Sequence, residues 1–170
     1  MAHRRELPPI IGIDPGSRAT GWALVEGTPE RPRVVAADVI RTGSRQAFAD
    51  RLAAIQQGLA TILEEHRPCL AAVESPFHGV NSRSALQLAH ARGVILATLS
   101  LAGITVEEYS PAQVKKSVTG SGRATKEQVA FMVERLAGTR SASHDLTDAV
   151  AVALCHQAHR PFLERAAENR

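Results

Sequence analysis

The stretch Ile-Ile-Gly-Ile-Asp-Pro-Gly-Ser-Arg-Ala-Thr-Gly-Trp-Ala-Leu-Val, Ile10–Val25, decides how the fold is read. Pro9–Ile13 is a short apolar run closed by Asp14-Pro15-Gly16, and Thr20–Val25 is a second apolar run. Gly, Pro and Ser crowd the link between them, as a tight connection between antiparallel strands requires. Val34–Arg41 reads as a third strand after the polar loop Gly27–Arg33, so the chain opens as an antiparallel meander.

Further along, the period changes. Phe48, Leu52, Ile55, Leu59 and Ile62 repeat at helical spacing and predict a helix from about Arg45 to His66, stopped by Pro68. Leu70–Glu74 is a buried strand ending in a carboxylate. Ser84–Leu101 is a second helix, apolar over more than half its circumference, and Ile104–Tyr109 a fifth strand. Ala112–Val118, Lys126–Leu136 and Ser143–His159 are helical, with the Gly120-Ser121-Gly122 break after the first of them. The expectation is an α/β fold: a five-stranded mixed sheet, its first three strands antiparallel, with helices on both faces. At 170 residues, without repeats or a long linker, it reads as one domain, with residues 1–8 and 160–170 as flexible ends.

The composition, 44% hydrophobic and 22% charged, is that of an ordinary globular protein. Apolar runs fall short of a membrane span. The segment after Arg4 and Arg5 is too short for a secretory leader. Cys69 and Cys155 make no metal-spaced pair, so a cytoplasmic protein without disulfides is expected.

Four acids stand where strands and helices would bring them together. Asp14 and Glu74 close strands, and Asp145 and Asp148, three apart at a helix start, share a face. Asp14 also suits a turn, and Asp145 also suits the positive end of a helix dipole. As a group, however, four carboxylates with no cation near them in sequence would repel one another, and divalent cations would neutralise them. All-oxygen donors suit Mg²⁺ or Mn²⁺ better than Zn²⁺. Two such ions about 4 Å apart serve phosphodiester hydrolysis.

Five ordered motifs now bear on identity. Ile11–Gly21, Val-Glu-Ser-Pro-Phe (Val73–Phe77), Ala85–Gly93, Pro111–Gly120 and His-Asp-Leu-Thr-Asp-Ala (His144–Ala149) together resemble the RuvC family of bacterial crossover-junction endodeoxyribonucleases. The resemblance runs from about Ile10 to His159. It implies an RNase H-like fold and a homodimer that nicks two opposed strands of a four-way DNA junction, leaving 5′-phosphate and 3′-hydroxyl ends. It also implies coupling to the RuvA–RuvB branch-migration complex. Asp14, Glu74, Asp145 and Asp148 become the catalytic, metal-binding carboxylates, with two Mg²⁺ per site (or Mn²⁺ in their place). His144, beside Asp145, is an alternative third ligand.

The bases are unevenly spread. Lys115, Lys116, Arg123, Lys126, Arg135 and Arg140 face only Glu127 and Glu134 between Pro111 and Arg140. Such a run is either a solvated helix face or a phosphate-facing surface, and the glycine break adds backbone N–H groups suited to anions. The resemblance assigns Lys115 and Lys126 to the DNA near the scissile phosphate. Lys116 and Arg123 belong to the same run, and Arg83 and Arg18 are further candidates for backbone contacts. Phe77 is either a loop anchor or a stacking platform for an unpaired base. The apolar excess on Ser84–Leu101 is either core or a subunit interface. Two other classes compete with the nuclease: an actin-like sugar kinase or ATPase, suggested by Asp14-Pro15-Gly16 but needing two such domains, and a non-cutting binder of branched DNA. The net charge is only +3, from 20 Lys and Arg against 17 Asp and Glu. That sum understates a protein whose further cations would be metal ions.

Overall fold

The computed structural model describes residues 9–75, 82–138 and 143–168. The strands are β1 (Ile10–Asp14), β2 (Ala19–Thr28), β3 (Arg31–Arg41), β4 (Leu70–Glu74) and β5 (Thr105–Tyr109). The helices are α1 (Phe48–His66), α2 (Ser82–Leu101), α3 (Pro111–Thr119), α4 (Lys126–Ala137) and α5 (His144–Glu168). The strands form one sheet in the order β3-β2-β1-β4-β5. β1 pairs antiparallel with β2 and parallel with β4, and β5 continues the parallel side. The antiparallel meander, the mixed sheet and the RNase H-like architecture follow the sequence reading.

Two apolar layers explain why these segments take these shapes. On one face Ile11, Ile13, Trp22 and Leu24 pack with Ile55 and Leu59 of α1 and Ile95 and Leu99 of α2. On the other Ile10, Ala23 and Val25 pack with α3, α4 and the run Ala149–Cys155 of α5. Both faces of β1 are covered, so Ile-Ile-Gly-Ile is continuously apolar rather than alternating. α5 lies so close to the sheet that two glycines are required beneath it. A Cβ on Gly12 would stand 2.3 Å from the Ala149 carbonyl oxygen, and one on Gly21 would stand 2.2 Å from that of Asp145. At the far end of the sheet the Gln157 amide donates to the Gly27 carbonyl at 2.9 Å, tying α5 to the β2–β3 turn.

Three boundaries differ from expectation. The polar Gly27–Arg33 segment is a tight turn rather than a loop, because β2 and β3 stay paired out to Thr28 and Arg31. Gly27 takes the positive φ of +90° that the turn needs. Pro32 is tolerated because β3 is an edge strand. α1 begins at Phe48 rather than at Arg45. α5 continues to Glu168, past His159, so the segment expected as a flexible end is helical through that residue. α3 and α4 are closed as their sequences suggest. Ser110 with Gln113, and Thr125 with Gln128, form capping boxes, and Gly120 and Gly138 end the helices in the left-handed region.

Candidate active site

β1, β4 and β5 all end at one edge of the sheet. Because β2 runs antiparallel to β1 and β3 antiparallel to β2, β2 begins and β3 ends there too. In the parallel register Ile13 pairs with Val73, so the next residues, Asp14 and Glu74, emerge side by side. The first turn of α5 rests against Gly21, which pairs with Asp14, and so brings Asp145 and Asp148 to the same edge. Three stretches distant in sequence thus converge.

A cavity of about 240 Å³ lies there, lined by Asp14, Glu74 and Asp148 and by Lys115 and Lys126. Val114, Val129 and Ala151 form its apolar wall. Burial pushes the Asp14 carboxyl up to about 7, and Glu74, Asp148 and Asp145 add repulsion. Burial likewise pushes Glu74 up to about 7, with Asp148 reinforcing it and Lys126 and Lys115 opposing it. The Lys126 ammonium stands 3.6 Å from the Asp148 carboxylate.

Asp145 does not line the cavity. Its carboxylate is close enough to act on Asp14 and lies 4.0 Å from the Arg41 guanidinium. His144 is exposed and belongs to the α4 side: Glu127 is held below the usual carboxylate range chiefly by a hydrogen bond from Thr125, with His144 contributing. Lys116 and Arg123 lie outside the cavity, and Arg83 is exposed in the first turn of α2. Phe77 and Arg140 lie outside the described residues. Arg41 escaped the sequence reading, since only the β2–β3 register, which sets it opposite Ala19, brings it to the acids.

The donors suit a hard divalent cation in kind, being oxygen only, and in charge, since the acids outnumber the lysines that oppose them. Among the described residues no three His, Cys, Asp or Glu are gathered tightly enough to enclose an ion. Asp14, Glu74 and Asp148 line the cavity instead of meeting at a point, with Lys126 paired to Asp148 and Asp145 outside the lining.

Comparison with known proteins gives one answer by three routes. The family described as "Crossover junction endodeoxyribonuclease RuvC" matches residues 10–156. The chain is 44% identical over 152 residues to the protein of that name from Paramagnetospirillum magneticum, covering 89% of this chain and 92% of the relative. With the protein of that name from Halorhodospira halophila it shares 46% over 153 residues, covering 89% and 90%. The structure is similar to that of T. thermophilus RuvC in complex with Holliday junction substrate, with a TM-score of 0.86, 31% identity, and 92% and 96% of the two chains covered. The yeast mitochondrial Holliday junction resolvase shares the fold at a TM-score of 0.67 and 13% identity, over 92% of this chain and 80% of that one.

Proposed function

The chain belongs to the RuvC family of crossover junction endodeoxyribonucleases, and from that premise we propose that Asp14, Glu74, Asp145 and Asp148 are its catalytic carboxylates. It is a Holliday junction resolvase, a nuclease of recombination and repair. The observation that supports the site assignment is the convergence of these acids at one sheet edge, where burial, reinforced by their mutual repulsion, pushes Asp14 and Glu74 up to about 7.

The four carboxylates would hold Mg²⁺, two ions per site, with Mn²⁺ able to replace it. When bound, such ions activate water and stabilise the leaving oxygen of a phosphodiester. The protein's own groups do the rest. Lys115 and Lys126 line the cavity and bind the scissile phosphate as it enters. The apolar wall of Val114, Val129 and Ala151 keeps the local dielectric low, which strengthens each charge contact. Lys116, Arg123 and Arg83 extend the contact along the DNA backbone, and Phe77 stacks on an unpaired base. Asp145, which stands near Asp14 at the same sheet edge, is the third ligand in this reading, in preference to the exposed His144.

The reading extends to the assembly. One domain spans the chain, and two copies pair so that two sites nick opposed strands symmetrically, leaving ligatable ends. α2 supports a dimer: Ala91, Ile95 and Leu99 are buried in the core, while Leu86 and Leu101 remain 60% and 90% exposed. Work with RuvA–RuvB in the cytoplasm completes it; among the described residues no helix is long and apolar enough to cross a membrane.

A synthetic four-way junction tests the assignment. With Mg²⁺ the parent protein should nick it and spare linear duplex, while Asp14→Asn should bind the junction and leave it intact. Nicking by Asp14→Asn at the parent rate would refute the site.

A further inference from the structure

A second group of cations stands at the same sheet edge, apart from Lys115 and Lys126. The β1–β2 loop carries Arg18, β3 ends at Arg41, and Arg45 and Arg51 flank the start of α1. The loop is clamped from within. The Thr42 amide donates to the Arg18 carbonyl at 3.0 Å, the Thr42 hydroxyl to the Ser17 carbonyl at 3.0 Å, and the Thr20 hydroxyl to the Gly16 carbonyl at 2.8 Å. With its carbonyls held inward, the loop presents the Arg18 side chain to solvent on a rigid support.

Arg51 supplies the second observation. It is only 8% exposed, its guanidinium lies over the Phe48 ring at 5.1 Å, and Nη1 makes one long bond of 3.5 Å to the Ser17 carbonyl. Its buried Nε has no hydrogen-bond partner. Among the described residues no carboxylate lies within ion-pair distance of Arg18, Arg45 or Arg51. A buried guanidinium without an anion is costly, and a phosphate oxygen is the group that relieves it. The N-terminus of α1 points the same way, because Ala47 offers no side-chain cap to its first N–H groups. Arg41, 4.0 Å from Asp145, bridges this group to the acids.

We propose that Arg18, Arg41, Arg45 and the buried Arg51 form a second phosphodiester-binding surface. It holds the DNA strand on the α1 side of the carboxylates while Lys115 and Lys126 hold it on the α3–α4 side. Arg45 and Arg51 belong to the α1–α2 layer and Lys115 and Lys126 to the α3–α5 layer, with Arg18 and Arg41 on the sheet edge between them, so a strand crossing the edge is gripped on both flanks of the cleavage point. This rests on the junction-nuclease reading above. Guanidinium pairs bidentately with phosphate and carries no base information, so the surface sets register rather than sequence preference.

Fluorescence anisotropy of a labelled four-way junction, in EDTA and across a NaCl series, tests it. Arg18→Ala with Arg45→Ala should flatten the slope of log affinity against log salt by about 0.9 for each phosphate no longer neutralised. The thermal midpoint should not move, and Arg18→Lys with Arg45→Lys should recover most of the slope. A parent-like slope and affinity in the folded alanine variant overturns the proposal and leaves the nuclease reading standing; failure of the parent protein to bind any junction overturns both. A scan of methylphosphonate linkages through the cleaved strand, with the parent protein alone, adds a check that needs no variant. Interference should flank the scissile linkage on both sides, and interference confined to one side refutes the double grip.

Discussion

Gly21→Ala is a demanding perturbation, because it moves the proposed site without touching a site residue. A Cβ at that position would stand 2.2 Å from the Asp145 carbonyl oxygen, 3.0 Å from its carbon and 3.4 Å from the Ala149 Cβ. Ordinary carbon–oxygen contacts begin at about 3.3 Å. The first turn of α5 must therefore retreat by about 1 Å, and since the nearest atoms are backbone, no side-chain rotation absorbs the clash. Overpacking of this kind costs about 1–3 kcal/mol, which for a chain of this size lowers the thermal midpoint by about 2–12 °C. Asp145 and Asp148 travel with the turn, and a misplacement of about 1 Å costs on the order of a hundredfold in rate. Single-turnover nicking of a saturating junction should show that loss, while junction affinity in EDTA stays near that of the parent, since none of the basic residues moves with the turn. A Gly21→Ala protein that nicks at the parent rate, or that loses stability with no loss of rate, would refute the claim that contact with β2 positions the α5 acids.

Other outcomes follow from the same geometry. Asp14 and Glu74 are raised from ordinary carboxylate values to about 7, so their contribution to stability is fully present below about pH 4 and is lost as pH rises through 7. Between those limits the EDTA-treated protein should lose up to about 1.4 kcal/mol per pH unit for each group, by urea melts, and Asp14→Asn should shallow the slope. Adding Mg²⁺ above pH 7 should reverse that loss, by about 2.7 kcal/mol at a hundred times its Kd; a melting midpoint indifferent to Mg²⁺ would contradict the ligand assignment. Lys126→Ala removes the charge that lowers Asp14 and Glu74 and pairs with Asp148. Its pH dependence of stability should extend upward, and its nicking should fall further than its binding. Gln157→Ala deletes the amide that holds the Glu26 and Gly27 carbonyls, at a cost of about 1–3 kcal/mol in urea melts, with nicking intact below the transition.

Most of the fold is legible in the sequence because its signals are local. The 4-and-3 spacing from Phe48 to Ile62 marks α1, and the apolar runs ending in Asp14 and Glu74 mark the two central strands. The acids are legible as a set for the same reason, Asp14 and Glu74 closing strands and Asp145 and Asp148 standing three apart near the start of α5. The features that escape a sequence reading depend on pairings across the chain. Pro32 argues locally for a loop, yet its edge position in a long hairpin lets the ladder continue past it. Arg41 joins the site only through register with Ala19, and Arg51 reads as one polar residue on an amphipathic helix until packing buries it. Tyr109 and His156, bonded through the phenol and Nδ1 at 2.9 Å, are 47 residues apart and give no joint signal in sequence. Burial there pushes the imidazole down to about 4, so it remains neutral and structural.

The acids proposed as catalytic come from β1, β4 and α5, and no two of these elements are neighbours in the chain. A nascent or half-unfolded polypeptide carries every one of those carboxylates but holds them far apart, with nothing to concentrate charge at one point. On the proposed assignment, cutting power therefore requires the closing helix to be seated on its two glycines. A copy in which that helix has come loose would lack two of the four proposed ligands. The connectivity thus ties the proposed chemistry to the completed fold rather than to any one segment of the chain.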